Sequence, residues 1–177
     1  MTDEEKQHIK GCRILISGTD KFINYIKDEL SRYDFRYIAL LTETNQILNY
    51  NTFGIIIECI GERTSYSFDV SDIPVIFPFD FIDGAGAIVM FPEDDRSWLE
   101  KRNIRQWVAE YIFGYCAFWN MSGCDWLHDS LPLINENLTS ESAMQTAARI
   151  CAGIAANIAV GREVKRFPHF YLYRNLQ

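Results

Sequence analysis

The first part of the chain combines short apolar runs with a helical repeat. Arg13–Ser17 is β-prone and mostly apolar, which predicts a first strand, and it runs directly into Gly18. Apolar residues then recur every three or four positions over Asp20–Tyr33, which predicts an amphipathic helix with Thr19 or Asp20 as its N-cap. A strand, a tight glycine turn and a helix in this order are typical of the opening of a Rossmann-type βαβ unit, whose first turn lies at the ligand-binding edge of the sheet.

Four further apolar runs predict the rest of the sheet. Near-continuous apolar strands are typical of a parallel sheet that is covered on both faces. The predicted strands are Tyr37–Thr42, Phe53–Ile60, Ile73–Phe77 and Ala87–Phe91, the last with antiparallel or mixed pairing. We therefore expect an α/β fold, a Rossmann-like and mostly parallel sheet flanked by helices with a mixed C-terminal edge, built as a single domain over residues 1–177.

Helical periodicity dominates from Ser97 onward. Ser97–Glu100 fits a capping box at the start of a helix. An aromatic and aliphatic stripe follows, and such a stripe favours core packing or a dimer interface over a cofactor site. It consists of Ile104, Trp107, Val108, Tyr111, Ile112, Tyr115 and Trp119.

The remaining segments complete the predicted chain. Residues 1–10 read as a frayed polar leader or a short helical turn, and residues 120–140 as a loop with a short helical turn. Glu141–Val160 is rich in alanine and predicts a last helix, with Gly161 as its C-cap glycine. Phe167–Tyr173 predicts a final edge strand, since a proline fits an edge better than the centre of a sheet.

Composition narrows the classes of partner. A net charge of −7 disfavours an extended nucleic-acid surface or acidic-membrane surface, because phosphate binding needs clustered Lys and Arg. No apolar run reaches membrane-spanning length and the polar N-terminus is unlike a signal peptide, so the cytoplasm is the expected location.

The five cysteines are odd in number and form no CxxC pair, which predicts reduced, mostly buried thiols. Cys124 and His128 are the one weak zinc-ligand pair.

Three segments together resemble a known family. They are FGIIIECIGE, IPVIFPFDFIDGAGAIVMFPEDD and the late small-residue helix TAARICAGIAANIAVGREV. In this order, after a strand–Gly–helix start, they resemble the ThiF/MoeB group of ubiquitin-activating-type adenylating enzymes. The resemblance covers Arg13–Phe91 and Glu141–Tyr173, and it implies a nucleotide site at the strand ends that uses ATP and Mg²⁺.

The chain departs from the family where the phosphates would bind. The family has a GxGGxG-type loop, whereas this chain has Gly18 alone, with the carboxylate of Asp20 at the following helix N-terminus. Glu43 matches the acid that holds the ribose in the family. The family's Asn–Arg pair and lysine have only the neutral counterparts Asn45, Gln46 and Asn49, since no Lys or Arg occurs between Arg36 and Arg63. The metal-linked Asp has Glu58 or Glu62 as its counterpart, and the family's catalytic-cysteine loop and zinc CxxC pairs are missing.

Two main hypotheses follow from these matches and departures. The first is a degenerate ThiF-like protein that has lost adenylation, needs no cofactor, and acts as a homodimer or as the inactive partner of an activating-type subunit. Its interface would be the aromatic helix Trp98–Trp119. The second is a nucleotide-binding enzyme, either an adenylyltransferase with ATP and Mg²⁺ or an NAD(P)-dependent oxidoreductase; a small-molecule sensor is a third reading. The candidate ligand-contacting residues are Gly18, Thr19, Asp20, Glu43, Asn45 and Gly61.

Overall fold

The computed structural model describes residues 1–18, 20–41, 50–59 and 72–175. Within these residues the chain forms five α-helices, six strands and two short 3₁₀ helices. The strands are β1 (Arg13–Ser17), β2 (Tyr37–Leu41), β3 (Ile55–Glu58), β4 (Val75–Asp80), β5 (Gly84–Met90) and β6 (Tyr171–Arg174). The helices are α1 (Asp3–Gly11), α2 (Asp20–Arg32), α3 (Ile104–Phe118), α4 (Asp125–Asn135) and α5 (Glu141–Ala159), and the 3₁₀ helices are Tyr50–Thr52 and Ser97–Glu100.

All six strands join in one sheet of order β2-β1-β3-β4-β5-β6. The first four are parallel, with Ile14 opposite both Ile38 of β2 and Ile55 of β3. β5 and β6 are added antiparallel, so that Ile76 lies opposite Val89 and Ala87 opposite Tyr171. The prediction of an α/β fold with a mostly parallel sheet and a mixed C-terminal edge is confirmed.

Helices cover both faces of the sheet, and the two faces bury different kinds of side chain. One face, beneath α1, α2 and α5, buries Ile14, Ile16, Ile57 and the small residues of α5. The opposite face, beneath α3 and α4, buries a mainly aromatic set that includes Phe77, Phe79, Phe81, Trp98 and Trp126. Alternate residues of each strand enter opposite cores, as expected of strands buried on both sides.

The helix predictions are confirmed where the periodicity is long. α2 and α5 begin at the predicted residues Asp20 and Glu141. α5 ends in a Schellman motif, in which the N–H groups of Gly161 and Arg162 donate to the carbonyls of Ile158 and Asn157. Gly161 takes a φ of 73°, which explains the glycine at this position.

Two predictions about helix starts need correction. Residues 1–10 belong mostly to a regular helix, α1, because Thr2 and Glu5 form a capping box. The predicted capping box at Ser97 does not form; Ser97–Glu100 is a 3₁₀ helix without a side-chain cap, and Asn103 instead caps α3 by accepting from the Gln106 N–H.

Residues 120–140, predicted as mainly loop, contain the eleven-residue helix α4. Trp126, Leu127, Ser130 and Ile134 are buried in α4, because Ser130 lies three or four residues after the adjacent Trp126 and Leu127 and Ile134 follows four residues later, which places them on one helix face. Pro132 lies inside the helix and hides this pattern in the sequence, since proline normally ends helices. Within the described residues, no helix has both the length and the apolar character needed to cross a bilayer.

Candidate functional site

The carboxyl edge of the parallel strands is the place where this fold type binds ligands. In the strand order β2-β1-β3, the topological switch point lies between β1 and β3. Gly18 follows β1 there and Cys59 follows β3. The N-termini of α2 and α5 also lie at this edge, since Lys21 and Glu141 meet across it and the Ser140 N–H donates to Asp80 at the end of β4.

Gly18 is required by packing between the two strand ends. Its φ is 154°, and a Cβ at this position would collide with the Cβ of Cys59. The Cys59 N–H donates to the Ser17 carbonyl over 2.7 Å, and the Gly18 N–H points to the Leu41 carbonyl at 3.4 Å. The glycine therefore allows close approach of β1 and β3, and its N–H is directed into the protein.

Cys59 has no properties of a nucleophile in this position. Its side chain is buried, and burial, followed by the neighbouring Cys151 and Glu58, raises the pKa of Cys59 well above its usual value. A cysteine that serves as a catalytic nucleophile needs a lowered pKa and access to solvent. The prediction of mostly buried thiols is confirmed: Cys59, Cys116, Cys124 and Cys151 are buried and Cys12 is partly exposed.

The other sequence-predicted site residues are placed as follows. Asp20 is the first residue of α2. Thr19, Glu43, Asn45 and Gly61 lie outside the described residues, so their approach to Gly18 stays a prediction. Glu62, the second counterpart of the metal-linked Asp, also lies outside them, whereas Glu58 is the buried last residue of β3.

The first turns of α2 and α5 are joined by an ion pair. Lys21 Nζ lies 2.9 Å from Glu141 Oε2, and the Tyr25 hydroxyl donates to the other carboxylate oxygen of Glu141. These two contacts, with the Tyr25 hydrogen bond the stronger influence, lower the pKa of Glu141. The positive charge of Lys21 is therefore balanced by a carboxylate of the same chain.

Asp80 is the centre of a buried polar network that sequence reasoning missed. Its carboxylate accepts from the backbone N–H groups of Ile82 (2.8 Å) and Ser140 (2.7 Å). Arg105 Nε donates to the Asp80 carbonyl over 2.6 Å, and Arg105 Nη2 lies 3.5 Å from the carboxylate. Burial raises the pKa of Asp80 despite these contacts. The network connects the end of β4 with the starts of α3 and α5, which is a structural role. Its signal in the sequence is one acidic residue in the apolar run VIFPFDF.

The aromatic stripe of α3 is packed along most of its length. Trp107 stacks on Tyr111 with ring centroids 5.3 Å apart, and Tyr111 contacts Phe167 at 5.8 Å. The Tyr111 hydroxyl donates to the Pro168 carbonyl over 2.7 Å. Tyr115 meets Phe170 edge-on at 5.2 Å. The predicted packing role is confirmed for this part of the stripe, which the segment before β6 covers.

The stripe continues onto the surface at the end of α3. Phe118 and Trp119 contact each other edge-on, yet they are 79% and 61% exposed, and the nearby Met121 is 49% exposed. We call Phe118, Trp119 and Met121 the α3 tip. Exposed aromatic and methionine side chains that lie together are typical of binding surfaces.

The described residues contain no cluster of three or more potential metal ligands. Cys124 is buried against Cys116, while His128 is exposed and its ring lies 5.0 Å from that of Phe113. Cys124 and His128 therefore lie in different surroundings, which argues against the prediction that they form a pair of zinc ligands.

No protein-family model matches the chain, and no curated protein matches it either.

Proposed function

We propose that this chain is a ThiF/MoeB-like protein that has lost adenylation and acts as a binding subunit, either as a homodimer or beside an activating-type subunit. The observation that carries the binding role is the α3 tip. The proposed loss of adenylation is supported separately, by the way the side chains at the carboxyl edge of the sheet are used.

The described part of the carboxyl edge is poorly suited to a triphosphate. The space beside Gly18 is filled by Cys59, and Lys21 is paired with Glu141. Glu58 and Asp80 place buried acidic residues at the ends of the adjacent strands β3 and β4. Phosphoryl and adenylyl transfer depend on cations that stabilise the charge developing on the phosphates. The described charges at this edge are mainly acidic or already paired. This supports the proposal that the chain has lost adenylyl transfer.

The α3 tip supports binding to another protein. Aromatic residues, methionine and arginine are enriched in interfaces, and a few buried Trp or Tyr side chains commonly supply most of the binding energy. Trp107 and Tyr111 anchor the helix that carries the tip, so its aromatic side chains are presented on a rigid element. A rigid aromatic surface loses little conformational entropy on association.

Sedimentation velocity over a range of protein concentrations tests the homodimer form. The wild type is expected to sediment as a dimer, and the double variant Phe118→Ser/Trp119→Ser as a folded monomer. Tyr37→Ser is the matched control, because Tyr37 is 56% exposed but lies on the edge strand β2. A wild type that stays monomeric at high micromolar concentration would contradict the homodimer form, as would a dimer that survives the double substitution.

A nucleotide-binding enzyme is the second candidate, and the observation favouring it is the glycine turn at the β1/β3 switch point. In that case Glu43→Ala should abolish binding of ATP, AMP or NAD(P) while leaving the circular dichroism spectrum unchanged. The two candidates are distinguishable, because the α3-tip variants should not alter nucleotide binding.

A further inference from the structure

Two cysteines meet beside the α3 tip. Cys116 lies in the last turn of α3 and Cys124 directly precedes α4, and their Sγ atoms are 2.7 Å apart. Cys116 is 2% exposed and Cys124 is 7% exposed. Both thiols are free.

We propose that Cys116 and Cys124 form a reversible dithiol–disulfide pair, which a low-molecular-weight disulfide oxidises in the folded protein. A disulfide needs an Sγ–Sγ separation of about 2.05 Å and Cα atoms close enough to bridge. The two sulfurs already lie near that separation, so closing the bond needs little movement of the helices. The connecting residues 117–123 are all exposed, which gives a small reagent a route to Cys124, the more exposed thiol.

The exchange takes place in two balanced steps. The Cys124 thiolate attacks one sulfur of the reagent, forms a mixed disulfide and releases one small thiolate, which takes up a proton. Cys116 then loses its proton to solvent, and its thiolate attacks Cys124 Sγ and displaces the second small thiol. Two cysteine thiols and one reagent disulfide thus give one intramolecular disulfide and two reagent thiols.

The second step is expected to limit the rate. Burial, together with the neighbouring Cys124 thiol, raises the pKa of Cys116 to about 12. Only a small fraction of Cys116 is then thiolate near neutral pH, so the mixed disulfide at Cys124 should accumulate first and close faster as the pH rises.

The bond would fix the segment that carries the α3 tip. Phe118, Trp119 and Met121 lie between the two cysteines, so oxidation holds their segment at both ends. Formation of the disulfide does not depend on the proposed function; only its effect on association does.

Peptide mapping of the native protein tests the pair. The protein is incubated with oxidised glutathione, quenched in acid, alkylated and digested without reduction. We expect two of the five thiols to be lost, a single linkage between Cys116 and Cys124, and full recovery with dithiothreitol. A linkage that forms only after unfolding in urea, or glutathione left on Cys12 alone, would overturn the proposal.

Cysteine variants provide the matched controls. Cys124→Ala should retain all four of its remaining thiols or form only a mixed disulfide, with no internal linkage. Cys12→Ser, at a partly exposed cysteine on a different part of the fold, should lose two thiols as the wild type does. If the circular dichroism spectrum of Cys124→Ala differs from that of the wild type, the variant is not folded normally. The proposal is then judged from the peptide map of the wild-type protein. A linkage that joins any other two cysteines also contradicts the proposal.

Discussion

The side chains at the carboxyl edge of the sheet are engaged in internal contacts, whereas the aromatic side chains of the α3 tip are exposed. At the edge, Lys21 is paired with Glu141, and Asp80 holds two backbone N–H groups and Arg105. At the tip, Phe118 and Trp119 are largely exposed. The edge is where an α/β sheet normally binds its ligand, yet its described side chains make internal contacts. In the proposed function, binding therefore takes place at the tip and not at the edge.

Truncating a buried and an exposed tryptophan should separate packing from binding most clearly. Trp98→Ala removes a side chain that meets Phe77 edge-on and stacks on Trp107 and Phe167, and it should lower the free energy of unfolding by about 3–5 kcal/mol. Trp119→Ala should change it by no more than about 0.5 kcal/mol when both proteins are measured at a concentration at which they are monomeric, because association through the tip would add its own stability. Urea denaturation followed by circular dichroism measures both. Equal costs would mean that the α3 tip is part of the core.

Asp80→Ala should have the next largest effect. The substitution leaves the N–H groups of Ile82 and Ser140 without their acceptor and Arg105 without its carboxylate, so we expect a loss of about 3 kcal/mol in the free energy of unfolding. Asp80→Asn keeps the shape and one acceptor oxygen, and it should cost less. If both variants retain wild-type stability but lose binding of a small molecule, the carboxyl edge binds a ligand, which would contradict the contrast drawn between the edge and the α3 tip.

Gly18→Ala tests whether the glycine serves packing. A methyl group there collides with Cys59, and the positive φ adds strain, so the free energy of unfolding should fall by about 1–3 kcal/mol without any ligand present. Cys59→Gly in the same chain should recover part of that loss, because it removes the colliding atom. A Gly18→Ala variant of unchanged stability would contradict the packing role. Chemical denaturation of the single and double variants decides.

Glu141→Gln should have the smallest effect, and it should depend on pH. The pKa of Glu141 is lowered by Tyr25 and Lys21, so the contact stabilises the fold above the usual carboxyl value of 4.5. That contribution is lost as the pH falls through the lowered pKa. The difference in melting temperature between wild type and variant should therefore be steady near neutral pH and shrink in acid. A difference that grows in acid would show that the pKa is raised instead.

The elements that were predicted correctly are those whose pattern is local. Apolar runs or helical repeats in the sequence predict β1, α2 and α5. A single glycine after the last helix likewise predicts its C-cap at Gly161. α4 was missed because Pro132 and the polar residues around it hide a stripe of buried positions. Local pattern is a weak guide where a residue of poor helix propensity is tolerated by tertiary packing.

The candidate sites depend on contacts that no local pattern reveals. Asp80 meets Arg105 and Ser140 only because β4, α3 and α5 come together, although Ser140 lies 60 residues away. Tyr111 and Trp119 occupy the same stripe of α3, yet one is covered by Phe167 and the other is exposed. The segment that covers Tyr111 lies 57 residues further along the chain, and it decides which positions of the stripe belong to the core and which to the surface.

A thermal-shift screen on the wild type is the most direct test of the central claim that this fold no longer uses a nucleotide. The ligands are ATP with Mg²⁺, AMP, NAD, NADP and S-adenosylmethionine, and Trp98→Ala shows that the assay resolves a change in stability. We predict no shift with any ligand. A ligand at a hundredfold excess over its Kd would stabilise the fold by about 2.7 kcal/mol and raise the melting temperature. Such a shift with ATP, AMP or NAD(P), lost in Glu43→Ala, would contradict the account and make the carboxyl edge a working nucleotide site.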